Sequence, residues 1–152
     1  MTDQPPPRRR ARGTLEFYSE IPRARVRKDY ALACASIAMR KVSHSVGTIR
    51  FVLVNDRKMA KLHREFLNLR GTTDVMTFNL TDPGAALEGE VYICLDQARR
   101  QAKEYRVPLY QEVARLAAHG VLHLAGLDDR TDSGRARMRR YEDRALKMGS
   151  AA

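Results

Sequence analysis

Two of the chain's four histidines, His119 and His123, stand four residues apart in the segment His119-Gly-Val-Leu-His-Leu-Ala-Gly-Leu-Asp-Asp129. On a helix that spacing puts both imidazoles on one face, one turn apart. Two such nitrogens can reach one divalent ion, at roughly 2.0–2.1 Å for zinc. Gly126 follows, and without a Cβ it lets the chain turn sharply out of the helix. Asp129 can then fold back as a third ligand, completing the pattern His-x-x-x-His-x-x-Gly-x-x-Asp. Three protein ligands leave a position open for water or substrate, as catalytic zinc requires. Asp128, one residue earlier, is placed to accept a hydrogen bond from a ligand histidine or to serve as base for a bound water. Each piece alone has a plainer explanation: a surface histidine pair, a C-terminal cap, a solvated acidic loop. Together with Val121, Leu122, Leu124 and Leu127, which hold the histidines beside a core, the pieces favour a metal site, because polar groups there need a partner.

The spacing is shared with the metzincin peptidases, but two positions differ. Gly120 stands where those enzymes place their glutamate base, and Asp129 where they usually carry a third histidine. The metal geometry survives this comparison and the peptidase base does not.

Elements that position the site can be read from periodicity. Leu15–Ser19 alternates as a half-buried strand, and Thr48–Val54 reads as a second. Pro22 is placed to open a helix over Ala24–Lys41, with Val26, Tyr30, Ala33, Ile37 and Ala38 at helical spacing. Asn55 or Asp56 caps a helix bearing Met59, Leu62 and Phe66. Asn68–Thr73 is a loop, Asp74–Leu80 a third strand, Thr81–Gly89 turn-rich, and Glu90–Leu95 a fourth strand. Asp96 is expected to cap a helix to about Tyr105, ended by Pro108. A helix over Leu109–Leu124 carries the histidines, and a last one runs from Asp132 or Ser133 to about Lys147. The expected fold is α+β: a small mixed four-stranded sheet with about five packed helices and the metal site at the end of a late helix.

Composition bounds the partners. The chain has 152 residues and a formal net charge of +10, from 28 Lys plus Arg against 18 Asp plus Glu. An arginine-led excess attracts polyanions, nucleic acid first among them. Arg99, Arg100, Arg135, Arg137, Arg139 and Arg140 form dense basic faces, each explicable as solvated helix surface or as RNA contacts. Residues 1–12, with Pro5-Pro6-Pro7 and Arg8-Arg9-Arg10, read as a disordered basic arm, and 13–148 as one domain. No apolar run follows the basic residues, so the start does not read as a secretory signal, and a cytoplasmic location is expected. Cys34 and Cys94 read as buried core thiols. His63 reads as a surface residue, His44 as part of a turn, Asp74 as a loop cap, and Glu90 as groove lining or an edge-strand charge.

The signature around His119 resembles that of the YbeY family of rRNA-maturation endoribonucleases, His-Gly-x-Leu-His-Leu-x-Gly-Tyr-Asp-His. Two further stretches agree in order and spacing: Thr73-Asp-Val-Met-Thr-Phe78, resembling Thr-Asp-Val-Leu-Ser-Phe, and Gly89-Glu-Val-Tyr-Ile93, resembling Gly-Asp-Ile-x-Ile. Gln97-Ala98 and the late Met138 and Glu142 follow in place, and the resemblance spans roughly residues 46–147. It implies one divalent metal, zinc by preference. It also implies cleavage in 3′-end maturation of small-subunit rRNA, a part in ribosome quality control, and association with the small subunit and with assembly factors such as the Era GTPase. Asp129 departs from the family's usual third histidine, and Leu67 from its usual arginine. Arg70, three residues later, is the candidate phosphate clamp. A non-catalytic assembly factor with a structural metal is the alternative, and a metallopeptidase is disfavoured by Gly120.

Overall fold

The computed structural model describes residues 13–42 and 45–150. The basic arm and His44 lie outside the described residues. The elements are β1 (Thr14–Ser19), α1 (Lys28–Val42), β2 (Val46–Val54), α2 (Asp56–Leu67), β3 (Val75–Asn79), β4 (Leu87–Cys94), α3 (Leu95–Tyr105), α4 (Leu109–Leu124) and α5 (Asp132–Gly149). The sheet order is β1-β2-β4-β3, with β1, β2 and β4 parallel and the edge strand β3 antiparallel to β4. The fold is therefore the expected mixed α+β arrangement.

Strand alternation divides the sheet into two unequal faces. Phe17, Ile49, Phe51, Leu53, Val91 and Ile93 point to the main core, where α1 and α4 cover them and α5 packs outside those two helices. Val54, Met76 and Cys94 point to the other face, where Met59 and Leu62 of α2 cover them. Val113, Leu116, Ala117, Val121 and Leu122 of α4 are fully buried, so the histidine-bearing helix is a central one. Gly120 lets it approach the sheet: a Cβ there would lie 2.5 Å from Val91 Cγ1. Gly89 does the same at the helix end, where a Cβ would meet the Phe78 carbonyl at 2.7 Å and the Leu124 methyls at 2.9 Å.

Three expectations are corrected. Pro22 opens no helix: residues 20–27 are irregular, Arg23 and Arg27 adopt left-handed φ values of 58° and 47°, and α1 starts at Lys28. The guanidinium of Arg27 lies over the Tyr110 ring, 4.1 Å from its centroid, which fixes this segment on α4. Asp96 does not cap α3, which starts at Leu95 without a side-chain cap; its carboxylate instead accepts the Asp56 N–H at 2.8 Å. Glu90 is not an edge-strand charge, because β4 is interior, between β2 and β3. Asp74 stands just before β3, where its carbonyl accepts the Cys94 N–H at 2.8 Å. Cys34 and Cys94 are buried free thiols, and burial pushes both up from the usual thiol range. No helix among the described residues is long and apolar enough to cross a membrane.

Candidate metal centre

The last turn of α4 carries both histidines. Ala125 ends the helix, Gly126 takes φ 100°, and the chain doubles back toward the helix it has left. The return is held at its far end by Thr131, whose Oγ1 accepts the Gly134 N–H at 3.0 Å and so caps α5. Gly134 presses against the Asp128 carbonyl so closely that no Cβ fits there. The loop 125–131 is thus clamped between two helices, and it presents Asp129 to the histidines.

Three ligand atoms converge. His119 Nε2 and His123 Nε2 are 2.9 Å apart, and Asp129 Oδ2 lies 3.6 Å from the first and 3.5 Å from the second. Ligands about 2.0–2.1 Å from one tetrahedral ion sit roughly 3.4 Å from each other, so this triangle fits the face of a single coordination sphere. The two imidazoles also need an explanation of their own. Their ring nitrogens face each other, and a shared cation would satisfy both lone pairs. His119 is held in the tautomer this requires. Its Nδ1 faces Glu142 Oε2 at 3.3 Å, so the Nδ1–H donates to that carboxylate and Nε2 keeps its lone pair.

Glu142 is itself anchored. Arg115 Nη1 donates to Glu142 Oε1 at 2.9 Å, while its Nη2 reaches Glu112 Oε1 at 2.5 Å. Gln101 Nε2 donates to the same Glu112 oxygen at 2.8 Å. Glu112 and Glu142 are 1% and 4% exposed, so these charges are interior and each is partnered. Burial acts to lower the Arg115 pKa, but the hydrogen bonds and attraction of Glu112 and Glu142 outweigh it and hold the guanidinium charged to higher pH.

The site residues expected from sequence do not all come together. His119, His123 and Asp129 do. Asp128 is engaged within its own loop: its carboxylate accepts the Arg130 N–H at 2.6 Å and Arg130 Nε at 2.7 Å. Those bonds hold the Asp128 carboxyl below the usual range. The acceptor that touches a ligand histidine is Glu142. Arg70 lines a different cavity, beside α2. The arginines beside the candidate ligands are Arg115, Arg135 and Arg139, which line one cavity of about 400 Å³ with His119, Asp129 and Glu142. Sequence reading placed Arg135 and Arg139 on a basic face without tying them to the site, and it carried no signal for Arg115. The position of Gly120 also bears on a peptidase reading, since a side chain there would be driven into Val91.

The family described as Endoribonuclease YbeY matches residues 16–149. A protein of Chlorobium phaeovibrioides named Endoribonuclease YbeY is 35% identical over 128 residues, which cover 84% of this chain and 82% of that one. One of Elusimicrobium minutum with the same name is 34% identical over 110 residues, covering 70% and 77%. The solution structure of a Thermotoga maritima protein superposes with a TM-score of 0.64 at 22% identity, over 90% of this chain and 89% of that one, and so shares the fold.

Proposed function

The chain belongs to the YbeY endoribonuclease family, and on that premise we propose that it is a single-metal endoribonuclease of small-subunit rRNA 3′-end maturation and ribosome quality control. Residues 13–148 act as one domain. His119, His123 and Asp129 hold one divalent ion, with zinc the best match to a donor set of two imidazoles and a carboxylate. An ion bound there supplies Lewis-acid polarisation of a phosphoryl oxygen. The chain's own residues do the rest. Glu142 keeps His119 in the binding tautomer and orientation. Arg135 and Arg139 border the same cavity and neutralise phosphate oxygens there. Arg70, in its own cavity, serves phosphates further along the strand. Asp128, held by Arg130, shapes the loop and takes no proton in this reading. The partners are rRNA, the small subunit and assembly factors such as the Era GTPase, in the cytoplasm.

The observation that carries the reading is the convergence of two Nε2 atoms and one Oδ2, with the outer nitrogen of His119 already committed to Glu142. The test is elemental analysis of the wild-type protein beside His123→Ala, followed by cleavage of an rRNA precursor with the same preparations. Near-stoichiometric metal and cleavage, both lost in the variant, are expected. Metal that stays in the variant would remove the reading. Leu67, 54% exposed where the family usually has an arginine, supports a second reading as a non-catalytic assembly factor. Specific metal without cleavage of a genuine precursor would select it.

A further inference from the structure

A second cavity lies away from the candidate ligands, along α2. It measures about 760 Å³ and is lined by Arg57, Lys58, Lys61, Arg64 and Arg70, with no carboxylate in its wall. Arg57, Lys61 and Arg64 are spaced as one helical stripe, roughly 10 Å long. Arg70 faces them from the loop that follows the helix. Among the described residues, the sole ion pair made by these five is Lys61 with Glu65, at 3.9 Å and well exposed. Five arginines elsewhere are engaged by carboxylates, Arg50 by Glu16, Arg100 by Asp56, Arg115 by Glu112 and Glu142, Arg130 by Asp128 and Arg135 by Asp132, whereas those of the groove are grouped in one wall without any. Like charges massed without counter-charges repel one another, and an external anion relieves that repulsion. Asn55, the N-cap of α2, adds the positive end of the helix dipole at the same place.

The other end of α2 supplies a different chemistry. Phe66 is 60% exposed, yet its ring is held by Phe78 at 5.0 Å, and Phe78 by Tyr92 at 5.6 Å. A cationic stripe for phosphates and a fixed, open aromatic ring for a base are together the pairing that binds single-stranded nucleic acid. Here the ring lies on the opposite face of α2 from the stripe, so a strand that uses both passes round the end of the helix. This aromatic chain also leads toward the candidate ligands. Phe78 precedes Asn79, whose Nδ2 donates to the Leu124 carbonyl at 3.5 Å, one residue beyond His123. The route from the stripe runs past Phe66 and round the free edge of β3.

From this we propose that the α2 groove is an exosite for the backbone of single-stranded RNA, with Phe66 stacking one base as the strand turns round β3 toward the metal centre. The inference rests on the ribonuclease reading for its direction, but the groove can be tested without cleavage. Arg57, Lys61 and Arg64 contact about two or three successive phosphates. Lys58 and Arg70 flank them. The occupant is RNA rather than an acidic protein because of the arginine forks and the stacking ring.

The test is fluorescence anisotropy with the full chain and a labelled 12-nucleotide single-stranded RNA carrying 2′-O-methyl groups, its integrity checked on a gel. The groove triple Arg57→Gln/Lys61→Gln/Arg64→Gln is compared with an equal charge loss on α5, Arg137→Gln/Arg140→Gln/Arg144→Gln. Gln keeps the helix propensity of the residues it replaces, and a thermal melt checks the fold of each. The groove triple should bind about tenfold or more weakly, with the slope of log K against log salt reduced by about 2. The α5 triple should change affinity less than threefold. Phe66→Ala should weaken binding about fivefold or more with the salt slope unchanged. Equal losses in the two triples, an unchanged slope in the groove triple, or no binding by the wild type would overturn the exosite. His123→Ala separates the two readings. If it loses metal and cleavage while the groove triple binds normally, the exosite fails and the nuclease stands. If it keeps metal while the groove triple loses binding, the nuclease site fails and the groove stands.

Discussion

In the interior between α4 and α5 the charged side chains are partnered, and the cations that line the α2 cavity mostly are not. Glu112, Arg115, Glu142 and His119 form one chain of contacts in the interior, each charge answered by the next. Arg57, Lys58, Arg64 and Arg70 share one cavity wall with no carboxylate in it. The first arrangement follows from burial, because an interior charge without a partner costs several kcal/mol. The second follows from exposure, because water and salt screen a surface charge and no internal partner is demanded. The same residue type therefore holds a site in place on one side of the molecule and stays available to a ligand on the other.

The largest effects should fall on the partnered side. His123→Ala removes one of three converging ligand atoms, and the metal content should drop from about one ion per chain to near none, with cleavage falling to background. Next comes Glu142. Glu142→Ala leaves Arg115 with one carboxylate instead of two in a largely buried place, at an expected cost of about 3–5 kcal/mol in denaturant unfolding. Glu142→Gln is the sharper probe, since it keeps the volume and an acceptor oxygen. Zinc affinity, read by competition with a chromophoric chelator, should fall about 10–100-fold. Unchanged affinity in Glu142→Gln would make the contact with His119 incidental and reduce Glu142 to a support for Arg115.

A third variant tests the packing that sets the histidines beside the sheet. Gly120→Ala puts a methyl 2.5 Å from Val91 Cγ1, and overpacking of this kind costs about 1–3 kcal/mol. The helix must also shift away from β4, so zinc affinity should fall with stability. A stable Gly120→Ala protein with normal zinc binding would show that the close approach of α4 to β4 is not what places the ligands.

The metal side was more legible in sequence than the rest, for a physical reason. The spacing of His119 and His123 is local, and helix geometry converts it directly into a shared face. Gly126 and Asp129 are local too, so α4, its end and the return of the chain all followed. Glu142 and Arg115 lie 27 residues apart, and no periodicity tells which buried acid will meet which base across two helices. Asp128 shows the complementary case: a short-range partner, Arg130, engages its carboxylate, and sequence spacing does not announce that pairing. The same competition governs the elements. Asp96 has the chemistry of a helix cap, but the Asp56 N–H claims its carboxylate. Pro22 has the chemistry of a helix start, but residues 20–27 are drawn into a turn, in which Ser19 Oγ accepts the Ile21 N–H at 3.1 Å. Glu90 looked like an edge charge because strand order is not written in alternation; β4 pairs on both sides only because β3 folds back antiparallel.

On the unpartnered side the effects should be smaller. Asn55 Oδ1 accepts the Lys58 N–H at 2.9 Å at the start of α2. Asn55→Ala should cost about 1 kcal/mol, measured by urea unfolding. Any larger loss would mean that α2 is as tightly coupled to the core as α4, and the contrast between the two regions would weaken.

The smallest effect concerns the one arginine that leaves the pattern near α2. Arg100 donates to both Asp56 oxygens, at 2.9 and 2.7 Å, but the pair is about half exposed. The Arg100 hydrogen bonds hold the Asp56 carboxyl below the usual range, against a smaller opposing effect of burial. A carboxyl lowered in the folded state contributes stability above its unfolded value of about 3.9, and loses it as pH falls through the lower folded value. The contribution is screened at this exposure and should stay below about 1 kcal/mol. Arg100→Ala should therefore be slightly less stable than wild type at pH 6, with the gap closing as pH drops below about 4. A gap that persisted to lower pH would assign Arg100 a packing role. It would then belong with Arg115 among the arginines that support the fold, and the boundary between the two regions would run through α3 instead of α2.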